Sequence, residues 1–106
     1  MPVISSTASH QTVITTFEVN PGTCEDLLEK LRDAYESFIR HQPGFIAAAL
    51  HVNDAQTRIV NYSQWQRRED FLAMLRSDRM RVHNREFTAL CRSFEPVMVD
   101  VVHSID

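Results

Sequence analysis

Cysteine, glycine and proline are all scarce in this chain of 106 residues, which holds two, two and four of them. Cys24 and Cys91 stand far apart, in neither a C-x-x-C pair nor a metal-type cluster. No disulfide framework is expected, and both read as reduced thiols of a cytoplasmic protein. His10, His41, His51, His83 and His103 are scattered, with no two spaced four apart. A helical zinc site of the H-E-x-x-H kind is therefore unsupported, and no metal is expected. Long apolar runs are missing too: none nears the roughly 20 residues of a membrane span, so no membrane partner is expected. The first ten residues have neither a basic start nor an apolar stretch, unlike a signal peptide. Charge is nearly balanced, 11 basic residues against 14 acidic ones, which gives no global pull toward nucleic acid.

What remains is an ordinary globular composition, and its patterning defines elements. Residues 1–11 are polar and Ser-rich and read as a loose arm, or one that crosses onto a partner; residues 12–106 read as a single domain. The run T-V-I-T-T-F-E-V over 12–19 predicts a strand, stopped by Asn20-Pro21-Gly22. Thr23 with Asp26 resembles a capping box, with the acidic residue in the first helical turn. Leu27, Leu31, Ala34, Tyr35 and Phe38 then repeat at helical spacing, until Pro43-Gly44 ends the helix. A second strand over 45–52 and a third over 58–65 flank a short polar loop, the pattern of a hairpin. Residues 66–92 read as helical with a break and new cap at Ser77-Asp78, and Pro96 opens a last strand over 97–103.

The order β-α-β-β-α-β is that of an α+β, ferredoxin-like fold: an antiparallel sheet with both helices on one face. Apolar side chains fall on both sides of these strands, Val60 and Tyr62 against Ile59 and Trp65. An uncovered apolar sheet face invites association, so a homodimer is expected.

Side chains alternate along a strand, so Ile59, Asn61, Ser63 and Trp65 share one side of the third strand. Asn61 and Trp65 are about 13 Å apart at the standard rise, close enough to line one cavity. A structural role is the plainer account, with Asn61 satisfying a bulge and Trp65 in the core. The alternative is a pair of neutral hydrogen-bond donors facing a ligand. Likewise the arginine-rich second helical region (Arg67, Arg68, Arg76, Arg79, Arg81, Arg85, Arg92) is balanced by nearby Glu69, Asp70, Asp78 and Glu86. It reads as a solvated face with local ion pairs.

The stretch V-N-Y-S-Q-W at 60–65, followed by Asp70-Phe71, resembles the V-N-Y-x-Q-W signature of the antibiotic biosynthesis monooxygenase family. Gln42-Pro43-Gly44-Phe45 resembles that family's joint between first helix and second strand, and the match in order runs from about Thr12 to Val102. The resemblance implies a dimeric α/β barrel that oxidises anthrone-type aromatic polyketides to quinones with O2, without metal, flavin or haem as cofactor. It gives Asn61 and Trp65 the catalytic roles, as donors to the substrate oxygen and to the substrate or peroxide. Some members carry a tyrosine where this chain has Phe71, and a phenyl ring cannot relay protons. Tyr35, Tyr62, His51 and His83 are then candidates to line the substrate site beside Phe71. His51 follows three alanines, whose small side chains leave room either for a flat ligand or for a closely packed helix.

Two other classes share the fold. Haem-degrading monooxygenases place an Asn on the first strand and a Trp and His on the second helix; here those positions fall near Thr15, Met74 and Asn84, with His83 one place off, which disfavours that activity. A polyketide cyclase or a non-catalytic aromatic-ligand binder is the remaining alternative, in which Asn61 and Trp65 only position the ligand.

Overall fold

The computed structural model describes residues 2–5 and 9–105. Strand β1 (Gln11–Glu18) leads into helix α1 (Pro21–Ser37), and β2 (Phe45–Val52) turns into β3 (Arg58–Trp65). Helices α2 (Arg68–Arg76) and α3 (Asp78–Thr88) follow, and β4 (Ser93–Val99) closes the chain. The four strands form one antiparallel sheet in the order β2-β3-β1-β4. This is the ferredoxin-like arrangement that the element order predicts.

The core lies between one sheet face and the helices. Leu27, Leu28, Leu31 and Ala34 of α1 pack with Val13, Phe17, Ile59 and Trp65 of the sheet, and with Phe71, Met74, Met80 and Phe87 from α2 and α3. Apolar residues spaced three and four apart on α1 meet period-two residues on the strands, as two packed layers require. Phe17 stacks on Phe94 with ring centres 4.9 Å apart, which carries the core across to β4.

Several boundaries differ from the sequence-based expectation. Helix α1 begins at Pro21, not at a Thr23 cap: Asn20 is the extended residue before the helix, and no acidic residue stands in the first turn. Proline suits that first position because an N–H there has no helical partner. Strand β4 starts at Ser93 and ends at Val99, so Pro96 sits inside it, opposite Thr15, rather than opening it. The proline is tolerated because β4 is an edge strand of this sheet. At Ser77 the expected break is present: its Oγ accepts from Met80 N (3.2 Å) and donates to Met74 O (2.7 Å), capping α3 while closing α2.

The Gln42-Pro43-Gly44-Phe45 joint has a physical reason. Gly44 has φ of +84°, a conformation that side-chain-bearing residues rarely adopt. A Cβ at that position also runs into the Asp70 carboxylate at the start of α2. Gly44 O accepts from Gln66 N at 2.7 Å, so this turn clamps the end of β3. Phe45 then meets Trp65 edge-on, ring centres 5.4 Å apart.

Candidate active site

Strand β3 supplies the polar row. Ile59, Asn61, Ser63 and Trp65 face the helices, and Val60, Tyr62 and Gln64 face the other way. A narrow cavity of about 40 Å³ runs between that row and the helices. Asn61, Ser63 and Trp65 form one wall, with Tyr35 of α1 beside them. Phe71, Met74, Met80 and Phe87 form much of the opposite wall. Tyr35 is the one cavity-lining residue with a titratable side chain, among the described residues.

Two hydrogen bonds tie four of these side chains together in pairs. The buried indole Nε1 of Trp65 donates to Ser63 Oγ at 3.2 Å. Tyr35 Oη donates to Asn61 Oδ1 at 2.8 Å. Burial pushes the Tyr35 hydroxyl up to about 12, against a smaller downward pull from Asn61 and Ser63. Tyr35 therefore stays protonated across the ordinary working range and acts as a neutral donor. With Oδ1 engaged, the NH2 end of Asn61 is left to serve a ligand.

Of the residues singled out in the sequence, Asn61, Trp65, Tyr35 and Phe71 come together here, Phe71 meeting Trp65 edge-on at 5.8 Å. His51 and Tyr62 do not join them. The hairpin register pairs His51 with Val60 and Ala49 with Tyr62, which puts both on the opposite sheet face. There they flank Pro2 and Ile4 of the N-terminal segment, whose Val3 carbonyl accepts from Gln64 Nε2 at 2.7 Å. His83 also lies outside the cavity, with its ring centre 6.0 Å from that of Phe38 and 6.3 Å from that of Phe87. Its Nε2 is buried without a partner, and Nδ1 is 3.7 Å from Glu86. Ser63 is the residue sequence reasoning left without a role. Its signal was its place between Asn61 and Trp65 on the same strand face, within reach of the Trp65 indole.

The arginines behave as a solvated face. Arg67 lies 3.7 Å from Asp70, Arg81 lies 3.9 Å from Asp78, and Arg79 covers the Phe38 ring at 5.0 Å. No helix among the described residues is long and apolar enough to cross a membrane.

Comparison with known proteins identifies the fold. The family model for antibiotic biosynthesis monooxygenases matches residues 11–86, from β1 into α3, a range that includes Tyr35, Asn61, Ser63 and Trp65. The chain belongs to the antibiotic biosynthesis monooxygenase family. It is 33% identical over 104 residues to the tetracenomycin-F1 monooxygenase of Streptomyces glaucescens, covering 98% of this chain and 92% of that one. It also resembles the monooxygenase from the gene ActVA-Orf6 of Streptomyces coelicolor, solved in complex with nanaomycin D. That likeness has a TM-score of 0.77 and 25% identity, over 92% of this chain and 91% of the other. SnoaB, a cofactor-independent oxygenase from Streptomyces nogalater, shares the fold at a TM-score of 0.73 with 20% identity, over 92% of this chain and 98% of its own. Within this family fold, the cavity is apolar with a short row of neutral polar groups, the general makeup of a small-molecule site.

Proposed function

We propose that this family member is a cofactor-independent monooxygenase that uses O2 to oxidise an anthrone-type aromatic polyketide to a quinone. The observation that carries it is the Asn61 amide, held by Tyr35 with its NH2 free beside an aromatic cavity that has no group able to act as a base near neutral pH. Such a cavity suits a substrate that is its own carbon acid. An anthrone methylene lies between two rings, and loss of its proton spreads the charge onto the ring carbonyl oxygen. A neutral amide donor aimed at that oxygen stabilises the anion without losing a proton itself. The carbanion passes one electron to O2, and the resulting radical and superoxide recombine as a peroxide. Loss of water leaves the new carbonyl, so one CH2 and one O2 give one C=O and one H2O. The kinship with a tetracenomycin monooxygenase and the likeness to a cofactor-independent oxygenase support the same reading.

The cavity is too small as it stands for such a substrate. Its 40 Å³ holds about three waters, whereas ligand pockets of this kind measure about 300 Å³ or more. Entry of a tricyclic ring therefore moves the helical wall, where unbranched Met74 and Met80 are the side chains best able to change shape.

Oxygen uptake by the purified protein with a tricyclic hydroxyanthrone tests the proposal. Uptake with stoichiometric quinone is expected. Asn61→Ala is expected to lower kcat about 100-fold, the usual effect of removing one donor to a developing oxyanion. Tight binding with no uptake above the spontaneous rate refutes the oxygenase and leaves a cyclase or a binder.

A homodimer completes the proposal. The sheet face away from the helices carries Ile14, Val60, Tyr62 and Val97, the last 48% exposed, and burying such a face against a second copy removes it from water. Sedimentation is expected to give twice the 12.3 kDa chain mass, and Val97→Lys to shift it toward the single chain. A wild-type monomer at micromolar concentration refutes it.

A further inference from the structure

The cavity beside Asn61 is too small for a ring system, and a much larger space lies one strand away. A groove of about 510 Å³ runs between α1 and the edge strand β2. Small-molecule sites measure about 300–1,000 Å³, so the groove has the size that the cavity lacks. The cross-strand register ties its floor to the polar row: Leu50 stands opposite Asn61, Ala48 opposite Ser63, and Phe45 opposite Trp65. Opposite residues of a strand pair share a face, with Cβ atoms about 5 Å apart. On that face Ala48 is the small side chain between Phe45 and Leu50, and the room it leaves forms the floor. Among the described residues, Tyr35 alone lines both the groove and the cavity. Its hydroxyl is held by Asn61 Oδ1 at 2.8 Å, and its ring centre lies 6.0 Å from that of Phe45. Tyr35 and Phe45 therefore stand between the two spaces.

We propose that this groove is the entrance and outer subsite of the Asn61 cavity, with Tyr35 as its gate and Ala48 setting the size of ring system admitted. The occupant is the substrate itself. Its reacting ring passes Tyr35 to reach Asn61, and its distal rings stay over Ala48. Opening the gate exchanges one neutral hydrogen bond, a small cost, and the bond re-forms when Tyr35 returns to Asn61. Arg32, Glu36 and Arg40 border the groove and offer polar groups to hydroxyls on a distal ring. The Arg40–Glu36 pair (2.7 Å) is solvent-exposed and loosely held, so both heads can turn to such a ligand. The inference rests on the cavity being the ligand site, and it names the substrate class as flat, polycyclic and hydroxylated at its far end.

The chain has a single tryptophan, and it lines the cavity. Quenching of Trp65 fluorescence by a bound quinone therefore reports arrival without turnover. Stopped-flow mixing with a two-ring hydroxynaphthoquinone and a four-ring hydroxytetracenequinone gives association and dissociation rates for each. Ala48→Leu is expected to slow association of both about tenfold, within the span seen among variants of one binding site. Equilibrium affinity is expected to fall about tenfold for the four-ring quinone only, the worth of roughly one ring left in water. The two-ring quinone lies inside, so its two rates fall together and its affinity holds. Ala48→Val, a residue at home in a strand, is expected to give a smaller change of the same sign. Tyr35→Phe frees the gate and is expected to raise association and dissociation together, about fivefold, for one lost neutral hydrogen bond.

Unchanged association in Ala48→Leu and Ala48→Val overturns the entrance and leaves the cavity reading in place. Equal loss of affinity for two and four rings overturns the outer subsite, because it marks a general distortion of the fold. Slower association in Tyr35→Phe overturns the gate. No quenching of the wild type by either quinone removes the cavity as the ligand site, and the entrance with it. The expected binding changes without oxygen uptake leave the entrance standing and remove the oxygenase reading alone.

Discussion

Replacing Tyr35 by phenylalanine removes a single buried hydroxyl, and its consequence for stability depends on pH in a calculable way. The hydroxyl ionises at about 12 in the folded chain, above its ordinary 10.0, mainly because burial disfavours the anion. Between those values the unfolded chain has released its proton while the folded chain retains it. Stability is therefore intact below about pH 10 and falls as pH rises toward 12. The interval from 10.0 to about 12 is worth about 3 kcal/mol at most, since a tenfold change in an ionisation constant is about 1.4 kcal/mol. Lys30, Cys24 and Cys91 are also raised, and they too lose stability as pH rises through this range. They are common to both proteins, so the difference between wild type and Tyr35→Phe isolates the tyrosine. Urea denaturation from pH 8 to 12 measures it. The wild type is expected to lose its advantage over the variant, or to fall below it, as pH passes from 10 to 12. Parallel stability curves across that interval refute the placement of Tyr35 as a buried neutral donor.

The two glycines are expected to respond with opposite signs. Gly44→Ala forces a side chain into φ +84° and against Asp70, at a cost of about 2–4 kcal/mol by denaturant titration. Gly22→Ala meets nothing within 4 Å inside helix α1 and is expected to be neutral or to stabilise by up to about 1 kcal/mol. Ser77→Ala removes the α3 cap and is expected to cost about 1 kcal/mol, read as a lowered urea midpoint with an unchanged m-value.

Much of the architecture was legible because it depends on local pattern. Period-two alternation put Asn61, Ser63 and Trp65 on one face, and the Asn53 side chain shows why the hairpin was also readable. Its Oδ1 accepts from Thr57 N and Arg58 N, both at 2.9 Å, a side chain standing in for a backbone turn. Alternation already excludes Tyr62 from the Asn61 face, and only its phenol chemistry recommended it for the site. His51 is a different matter. Its face depends on the cross-strand register, with the bulge between Phe45 and Ala47, and no local pattern sets that. Pro96 misled because a proline inside a strand is legible only once that strand is known to be an edge. The bond from Tyr35 to Asn61 joins residues 26 positions apart on different elements, and only the fold makes it visible.

The cavity's lack of a base has a kinetic consequence. Among the described residues no lining side chain other than Tyr35 titrates, and Tyr35 holds its proton to about 12. If the substrate is deprotonated on its own account, the pH profile of kcat/KM belongs to the substrate rather than to the protein. A series of hydroxyanthrones with graded methylene acidity separates the two cases. The rising limb of each profile is expected to move in step with the acidity of that substrate, and to keep its position when His83 or His51 is replaced by glutamine. A rising limb fixed at one pH for every substrate refutes this, because it marks a protein group as the base. Replacement of Asn61 by alanine is then expected to lower the whole profile without displacing the limb, since its amide stabilises the anion in the cavity and exchanges no proton with it.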